Sequence, residues 1–284
     1  MRQEIEYLKI LAENGGPEEN QYEELGKFYK TVNTKRKKGI LSESEVMSIW
    51  QALPEVYITK DTMQGYALLK PHGYSGDYVI IERIYQRWLS PKEHLVNWDR
   101  FFHAQEAPRA LINRKKYFQD ILCSLEKKDG KLDVLNIGCG PCQDVAEFLS
   151  EGDSHIYFEC VDYDKNAIEY SYNKFKEKGF LSKIEFHRDN ALKFRPPRQY
   201  DLIWSAGLFD YLDEKIFKML LSRQLNFIKP GGEIVIGNFS MDNPTRDYME
   251  CGNWFLYHRS PDDLFKIASE CGVPDDKISV KSES

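Results

Sequence analysis

Between Asn136 and Val145 the chain reads NIGCGPCQDV, and two chemistries compete for this stretch. Cys139-Gly-Pro-Cys142 has the spacing of a dithiol redox centre, which needs an exposed cysteine at a helix N-terminus, its pKa lowered by the helix dipole. Gly138-x-Gly140 is instead a turn whose missing side chains let the backbone curl beneath a ligand. The surroundings favour the second. Asp162 stands 24 residues after Gly138, at the end of the strand-like run HIYFECVD, where a carboxylate can accept from both hydroxyls of a ribose. A redox fold would also need a proline loop facing the disulfide, and Pro196-Pro197, far along the chain and ahead of a strand, is a poor candidate. A single Cys-x-x-Cys without a second ligand pair is a weak zinc signal, so no metal is expected. A dinucleotide would call for a third glycine at position 143, where the chain has Gln143, which disfavours an NAD-dependent oxidoreductase.

The elements that must position these residues fall into two rhythms. Residues 1–128 are helical: EIEYLKILAEN, SESEVMSIWQAL and DYVIIERIYQRWL space apolar residues by three and four, and Ser42 with Glu45 forms a capping box. Lys70 to Tyr78, KPHGYSGDY, is a glycine-punctuated aromatic turn, and Asp77 is placed to cap the helix that follows. From 129 to 284 short apolar runs alternate with amphipathic helices. LDVLNIG, HIYFECVD, KIEFHR, YDLIWSAG and EIVIGNF read as five strands, with PCQDVAEFLS (Pro141 in its first turn), KNAIEYSYNKFKEKG and EKIFKMLLSRQLNFI as helices between them. PDDLFKIASECG and KISVK add a helix and a strand. The fold class is α/β: a doubly wound, mostly parallel Rossmann-like sheet with an all-helical N-terminal cap. An edge strand at the end of the sheet would be open to another chain, so homo-oligomers are an expectation.

Read together, these motifs resemble a class I S-adenosylmethionine-dependent methyltransferase over residues 132 to about 240. VLNIGCGPC is similar to that family's first motif, FECVDYD to the acidic end of its second strand, and HRDNALKF to the third-strand motif. YDLIWSAGLFDYL resembles the fourth-strand motif, and IKPGGEIVI the turn into the fifth strand. The resemblance implies S-adenosyl-L-methionine as cofactor, with Gly138 and Gly140 beneath its methionine and ribose. It implies Asp162 on the ribose hydroxyls, Tyr163 packing on adenine, and Asp189 with the backbone of Asn190 or Ala191 at the adenine edge. Ser205 and Ala206 would line the methionine end. The sequence departs from the family at two positions. Asn136 stands where an acid is usual, keeping an acceptor but no charge for the cofactor's ammonium, and Cys142 replaces a usual third glycine.

The helical front, its KPHGYSGDY loop, SAGLFDYL and GNWFLYHRSPDDL together resemble a bacterial subgroup assigned to making 3-hydroxy fatty-acid methyl esters as extracellular signals. That implies a small-molecule acceptor such as a hydroxy fatty acid, a carboxylate with an apolar tail. A carboxylate is ionised at neutral pH and needs a cation or hydroxyl pair to orient it, whereas a hydroxyl or amine acceptor would need a base, most often His. Candidate catalytic groups are His72, Tyr74 and His103. Candidate substrate contacts are Lys70, Tyr74, Tyr78, Phe209, Trp254, Tyr257 and Arg259, with His258 beside them. The rival in another class is a catalytically silent module of the same fold acting through a protein partner, which need not keep Asp162 and Asp189.

Bulk properties set the frame. The 284 residues are 42% hydrophobic, 30% charged and 13% aromatic, the profile of a globular protein with enough apolar mass for a large core or a lined pocket. The net charge of −6 argues against a nucleic-acid surface, and the basic run Lys35 to Lys38 reads as a solvated helix end. There is no leader-like start and no apolar run near the length of a membrane span, and six cysteines scattered along the chain do not make a disulfide scaffold. A cytoplasmic location without membrane insertion is the expectation.

Overall fold

A computed structural model describes residues 2–282. Packing separates the chain into two compact units, Met1–Leu111 with Asn243–Phe255, and Ile112–Asp242 with Leu256–Ser284. The division thus runs inside the long Glu106–Leu125 helix, and not at the 128/129 boundary read from the sequence. The reason is that Phe118, Leu122 and Leu125 of that helix pack into the core of the sheet.

In the helical unit, seven helices between Arg2 and Ala104 are joined by a returning one, Arg246–Cys251. Trp50, Trp98, Tyr29 and Phe101 are fully buried there, and Tyr29 stacks on Phe101 with ring centres 6.0 Å apart. Much of the aromatic excess in the composition is therefore core. Ser42 and Glu45 form the expected capping box, and Asp77 caps the Tyr78–Tyr85 helix by accepting from the amides of Val79 and Ile80, both at 3.0 Å. That helix stops short of its apolar pattern, which ran to Leu89, because Arg87 turns left-handed at φ +49°. The basic run is engaged rather than merely solvated: Lys35 pairs with Glu4, Arg36 with Glu43, and Lys37 with Glu250 at 2.7 Å.

The sheet unit is built on five parallel strands: β1 (Leu132–Ile137), β2 (Ile156–Asp162), β3 (Ile184–Arg188), β4 (Tyr200–Ser205) and β5 (Ile228–Ile236), in the order β3-β2-β1-β4-β5. Alternation along the strands builds two cores. Val134, Phe158, Cys160 and Trp204 pack with Phe118, Val145 and Phe175, while Leu135, Ile137, Val161 and Ile203 pack with Phe194. The order reverses between β1 and β4, and in such sheets ligands bind beyond the carboxyl ends of the strands at that switch point. The Lys229-Pro-Gly-Gly232 turn is absorbed as an irregularity in the β4–β5 register, since Leu202 pairs with Glu233 two positions after Tyr200 pairs with Ile228. A side chain at Gly232 would come within 2.9 Å of the Asp201 carbonyl. Two expectations are corrected. The stretch KISVK forms no strand: Asp275–Lys277 is a 3-10 turn and no described strand pairs with the residues after it, so the ladder has no partner to extend. Pro141 lies outside the first helix, which spans Gln143–Ser150, because Cys142 before it is left-handed at φ +50°. Among the described residues no helix is long and apolar enough to cross a membrane.

Candidate cofactor site at the carboxyl edge of the sheet

The glycine turn is held from three sides. At the end of β1 the amides of Gly138 and Cys139 donate to the Val161 carbonyl of β2, at 2.8 and 3.2 Å. Asp162, last residue of β2, accepts from the Gly140 amide at 2.9 Å and from the Asp164 amide at 2.9 Å. Ser171, on the Lys165–Glu177 helix, donates to the Gly140 carbonyl at 2.9 Å, and Lys174 on the same helix donates to the Pro141 carbonyl at 3.1 Å. The structural role open to Asp162, capping the next helix, falls to Asp164 instead, which accepts from the Asn166 amide. Asp162 thus couples β2 to the turn. Burial raises its pKa while these backbone bonds oppose the rise.

The backbone of the turn explains its composition. Gly138 and Gly140 have φ of +68° and +53°, and Cys142, where the third glycine of the resembled motif would be, also sits at +50°. A non-glycine residue there is strained, of the order of 1–2 kcal/mol. A Cβ on Gly138 would lie 3.2 Å from Leu208, but a Cβ on Gly140 would meet nothing within 4 Å. The open side at Gly140 is the cradle that a cofactor over this turn requires. Asn136, buried at the end of β1, leaves its Nδ2 without a hydrogen bond, a donor that a ligand acceptor could satisfy. Tyr163, immediately after Asp162, is 72% exposed, so its ring face is available for stacking. Asp189 and Asn190 follow β3 on a half-buried turn in which Asn190 accepts from the Leu192 amide, and Ala191 packs against the sheet core. Ser205 is buried and donates to the Ile137 carbonyl at 2.9 Å, tying β4 to β1 at the switch point, with half-buried Ala206 next to it. The residues assigned to the cofactor therefore gather on the ends of four adjacent strands, and they fit S-adenosylmethionine. Asp162 and Asp189 would hold its ribose and adenine, and the glycine turn would pass beneath.

The dithiol reading has no support in this geometry. Cys139, Cys142 and Cys160 lie buried in one apolar cluster, with the Sγ atoms of Cys142 and Cys160 at 3.4 Å. Burial pushes the Cys142 thiol far up, the opposite of what a redox nucleophile needs.

The acceptor candidates divide between the units. In the helical unit, Lys70 is left-handed and donates Nζ to the Asn253 carbonyl at 2.7 Å, His72 packs its ring on Tyr78, and Tyr74 is 39% exposed. His103 Nε2 lies 2.7 Å from the Trp88 carbonyl and its Nδ1 is buried without a hydrogen bond; burial lowers its pKa. Trp254 is buried. In the sheet unit, Phe209 is packed on Phe217 beneath the Glu214–Gln224 helix, and Tyr257 is exposed, its amide bonded to the Asp210 carbonyl. Arg259 is spent internally: Nη1 donates to the Phe209 carbonyl and to Asn238 Oδ1, and Nη2 to the Leu212 carbonyl.

One residue escaped sequence reading. Arg114 lies in a charged stretch, NRKK, that looks like a solvated helix face, but its side chain is turned inward beyond the ends of β4 and β5. Nη1 is 3.5 Å from buried Asp210, the guanidinium lies over the Phe239 ring, and Nε is buried with no hydrogen bond. A Cβ at Gly207 would sit 3.4 Å from Arg114 Nη2, and one at Gly237 2.7 Å from its Cδ, so these glycines make room for the arginine. Burial raises the pKa of Asp210 and Arg114 counters that rise.

Comparison with known proteins bears on the sheet unit. Residues 134–232 match the family described as a methyltransferase domain. Malonyl-[acyl-carrier protein] O-methyltransferase 2 of Ilyobacter polytropus is 30% identical over 122 residues, 42% of this chain and 43% of that protein. Probable thiol methyltransferase 2 of Arabidopsis thaliana is 28% identical over 105 residues, 37% of this chain and 45% of that protein. The chain thus spans less than half the length of these curated relatives. A crystal structure of a possible exported protein from Bordetella parapertussis shares the fold, with a TM-score of 0.60 at 17% identity over 78% of this chain and 82% of that one. With the strand order, the glycine turn and the ordered acidic strand ends, this match makes residues 134–232 a methyltransferase domain of the class I, S-adenosylmethionine-dependent type.

Proposed function

We propose that this protein transfers the methyl group of S-adenosylmethionine to the carboxylate of a small molecule with an apolar tail, of hydroxy-fatty-acid type. Arg114 carries the acceptor half of this reading. A carboxylate nucleophile is already ionised and needs no base; it needs a fixed cation to orient it, and a guanidinium in a water-poor setting does this bidentately. Lys70 and Arg259 are engaged with carbonyls, whereas Arg114 keeps a buried donor unsatisfied beside two glycines beyond the β4 and β5 ends. The Ilyobacter relative, a malonyl-[acyl-carrier protein] O-methyltransferase by name, is in keeping with an acyl acceptor.

Bound cofactor would supply an electrophilic methyl carbon on a sulfonium. A carboxylate acceptor would take that methyl as the carbon–sulfur bond breaks, giving a methyl ester and a neutral thioether with no proton to remove, so no base would be needed. The chain's part is positional. Asp162 and the glycine turn fix the adenosine end, Ser205 locks β4 against β1, and Arg114 holds the acceptor in line. The test is methyl transfer from labelled donor to 3-hydroxy fatty acids, simple amines and alcohols. Arg114→Gln should lower kcat/KM for the carboxylate by about 10-fold or more, the worth of a charged hydrogen bond, and Arg114→Lys should recover part of it. Transfer to amines or alcohols alone, or carboxylate transfer indifferent to Arg114→Gln, would overturn the proposal.

A further inference from the structure

A second cluster lies in the same unit, across β2 and β3, with His187 two residues before Asp189 near the carboxyl end of β3. Glu159 on β2 and Glu185 on β3 are register partners in the parallel ladder, and His187 is two residues beyond Glu185 on the same face. Glu159 Oε2 is 3.2 Å from His187 Nε2, and His187 Nε2 is 3.9 Å from Glu185 Oε1. Ligand atoms of all three lie within 4.8 Å of one another. Glu159 precedes Asp162 by three residues, about 10 Å along a strand, so the cluster is separate from the ribose end of the cofactor site.

What makes it more than a group of acids is the set of unsatisfied atoms around one point. Glu159 has no exposed surface, and its carboxylate is met by His187 Nε2 at 3.2 Å and Arg198 Nε at 2.9 Å, neither in good hydrogen-bond geometry. Tyr200 stands beside them, its pKa driven up first by burial and then by the neighbouring Glu159 carboxylate. The nearby cation is Arg198, whose Nε is 2.9 Å from Glu159 Oε1 without making a hydrogen bond. Arg198 is 38% exposed and already reaches a second carboxylate, Asp133 Oδ1 at 3.3 Å, so it can yield Glu159 without losing a partner.

We infer that Glu159, Glu185 and His187 form a binding site for a divalent first-row transition ion such as zinc, cobalt or manganese. Two carboxylates and an imidazole are the donor set such ions take. Bonds of about 2.1 Å around a tetrahedral centre would set neighbouring ligand atoms about 3.4 Å apart, a spacing that the 3.2 and 3.9 Å separations bracket. The ion would cross-link β2 and β3, the strands that end in Asp162 and Arg188. The inference does not depend on methyl transfer.

The probe is Co2+ alone, titrated into the full chain and followed by its visible spectrum and by calorimetry. The wild type should bind one ion saturably, with oxygen and nitrogen d–d bands and no thiolate charge-transfer band. The absence of that band separates this site from the buried Cys139, Cys142 and Cys160 cluster. Glu185→Gln and His187→Ala, both at partly exposed positions, should each weaken binding by about 10-fold or more while the circular dichroism spectrum stays native. No saturable binding by the wild type would overturn the inference, as would equal affinity in folded variants or a thiolate band.

Discussion

Replacing Gly140 by alanine separates what the glycine turn does for the fold from what it does for a ligand. The added methyl group meets no atom within 4 Å, so the ligand-free protein suffers only from alanine in a left-handed conformation at φ +53°, about 1–2 kcal/mol. With cofactor over the turn the same methyl group occupies the space the ligand needs. A displacement costing about 1.4 kcal/mol already lowers affinity tenfold. The expected result is therefore a modest loss in urea-unfolding stability together with a drop of about tenfold or more in affinity for S-adenosylhomocysteine by calorimetry. Gly138→Ala provides the contrast, because its methyl group would press on Leu208 at 3.2 Å and disturb packing first. Unchanged affinity in a folded Gly140→Ala protein would refute the placement of cofactor over this turn.

Two further predictions concern stability. Glu250 accepts from Asn33 and Arg246, both at 2.8 Å, and pairs with Lys37 at 2.7 Å; burial alone would raise its pKa, but these partners hold it at about 2. A depressed carboxylate stabilises the fold above its unfolded pKa of about 4.5, and that contribution is lost as pH falls toward 2. Glu250→Gln should therefore cost about 2 kcal/mol at pH 7, after discounting the half-exposed Lys37, and much less near pH 3; an equal cost at both pH values in urea unfolding would exclude the linkage. Arg259→Lys cannot serve the Phe209 and Leu212 carbonyls and Asn238 from one ammonium, so about 2–4 kcal/mol should be lost, read as a lower thermal midpoint. A loss under about 0.5 kcal/mol would mean that these bonds do not hold the loop.

The sequence carried the sheet and the residues at its strand ends because both are written locally. Strand runs end in Asp162 and Ser205, a glycine turn follows β1, and Ser42 and Asp77 announce their own helices. The rest depends on contacts that no local pattern encodes. Arg114 sits among charged neighbours and is distinguished only by the glycines opposite it, 93 and 123 residues later in the chain. The segment 243–255 joins the helical unit through Asn33, which donates to Asp247 and Glu250 across more than two hundred residues. Glu159 and His187 became neighbours only through the parallel register of β2 and β3. KISVK has the alternation of a strand but no ladder to join. Arg259 looks like a free cation in the sequence because its three internal acceptors, at Phe209, Leu212 and Asn238, lie in distant stretches of chain.

The most direct test of the central claim is calorimetric titration of S-adenosylhomocysteine into the wild-type chain and into Asp162→Ala, with folding verified by circular dichroism. Saturable one-site binding by the wild type, weakened about tenfold or more in the variant, is the predicted result, since the carboxylate holds the Gly140 amide and would be the acceptor for the ribose. A folded wild-type protein that does not bind, or a folded variant that binds as tightly, would contradict the cofactor site described above.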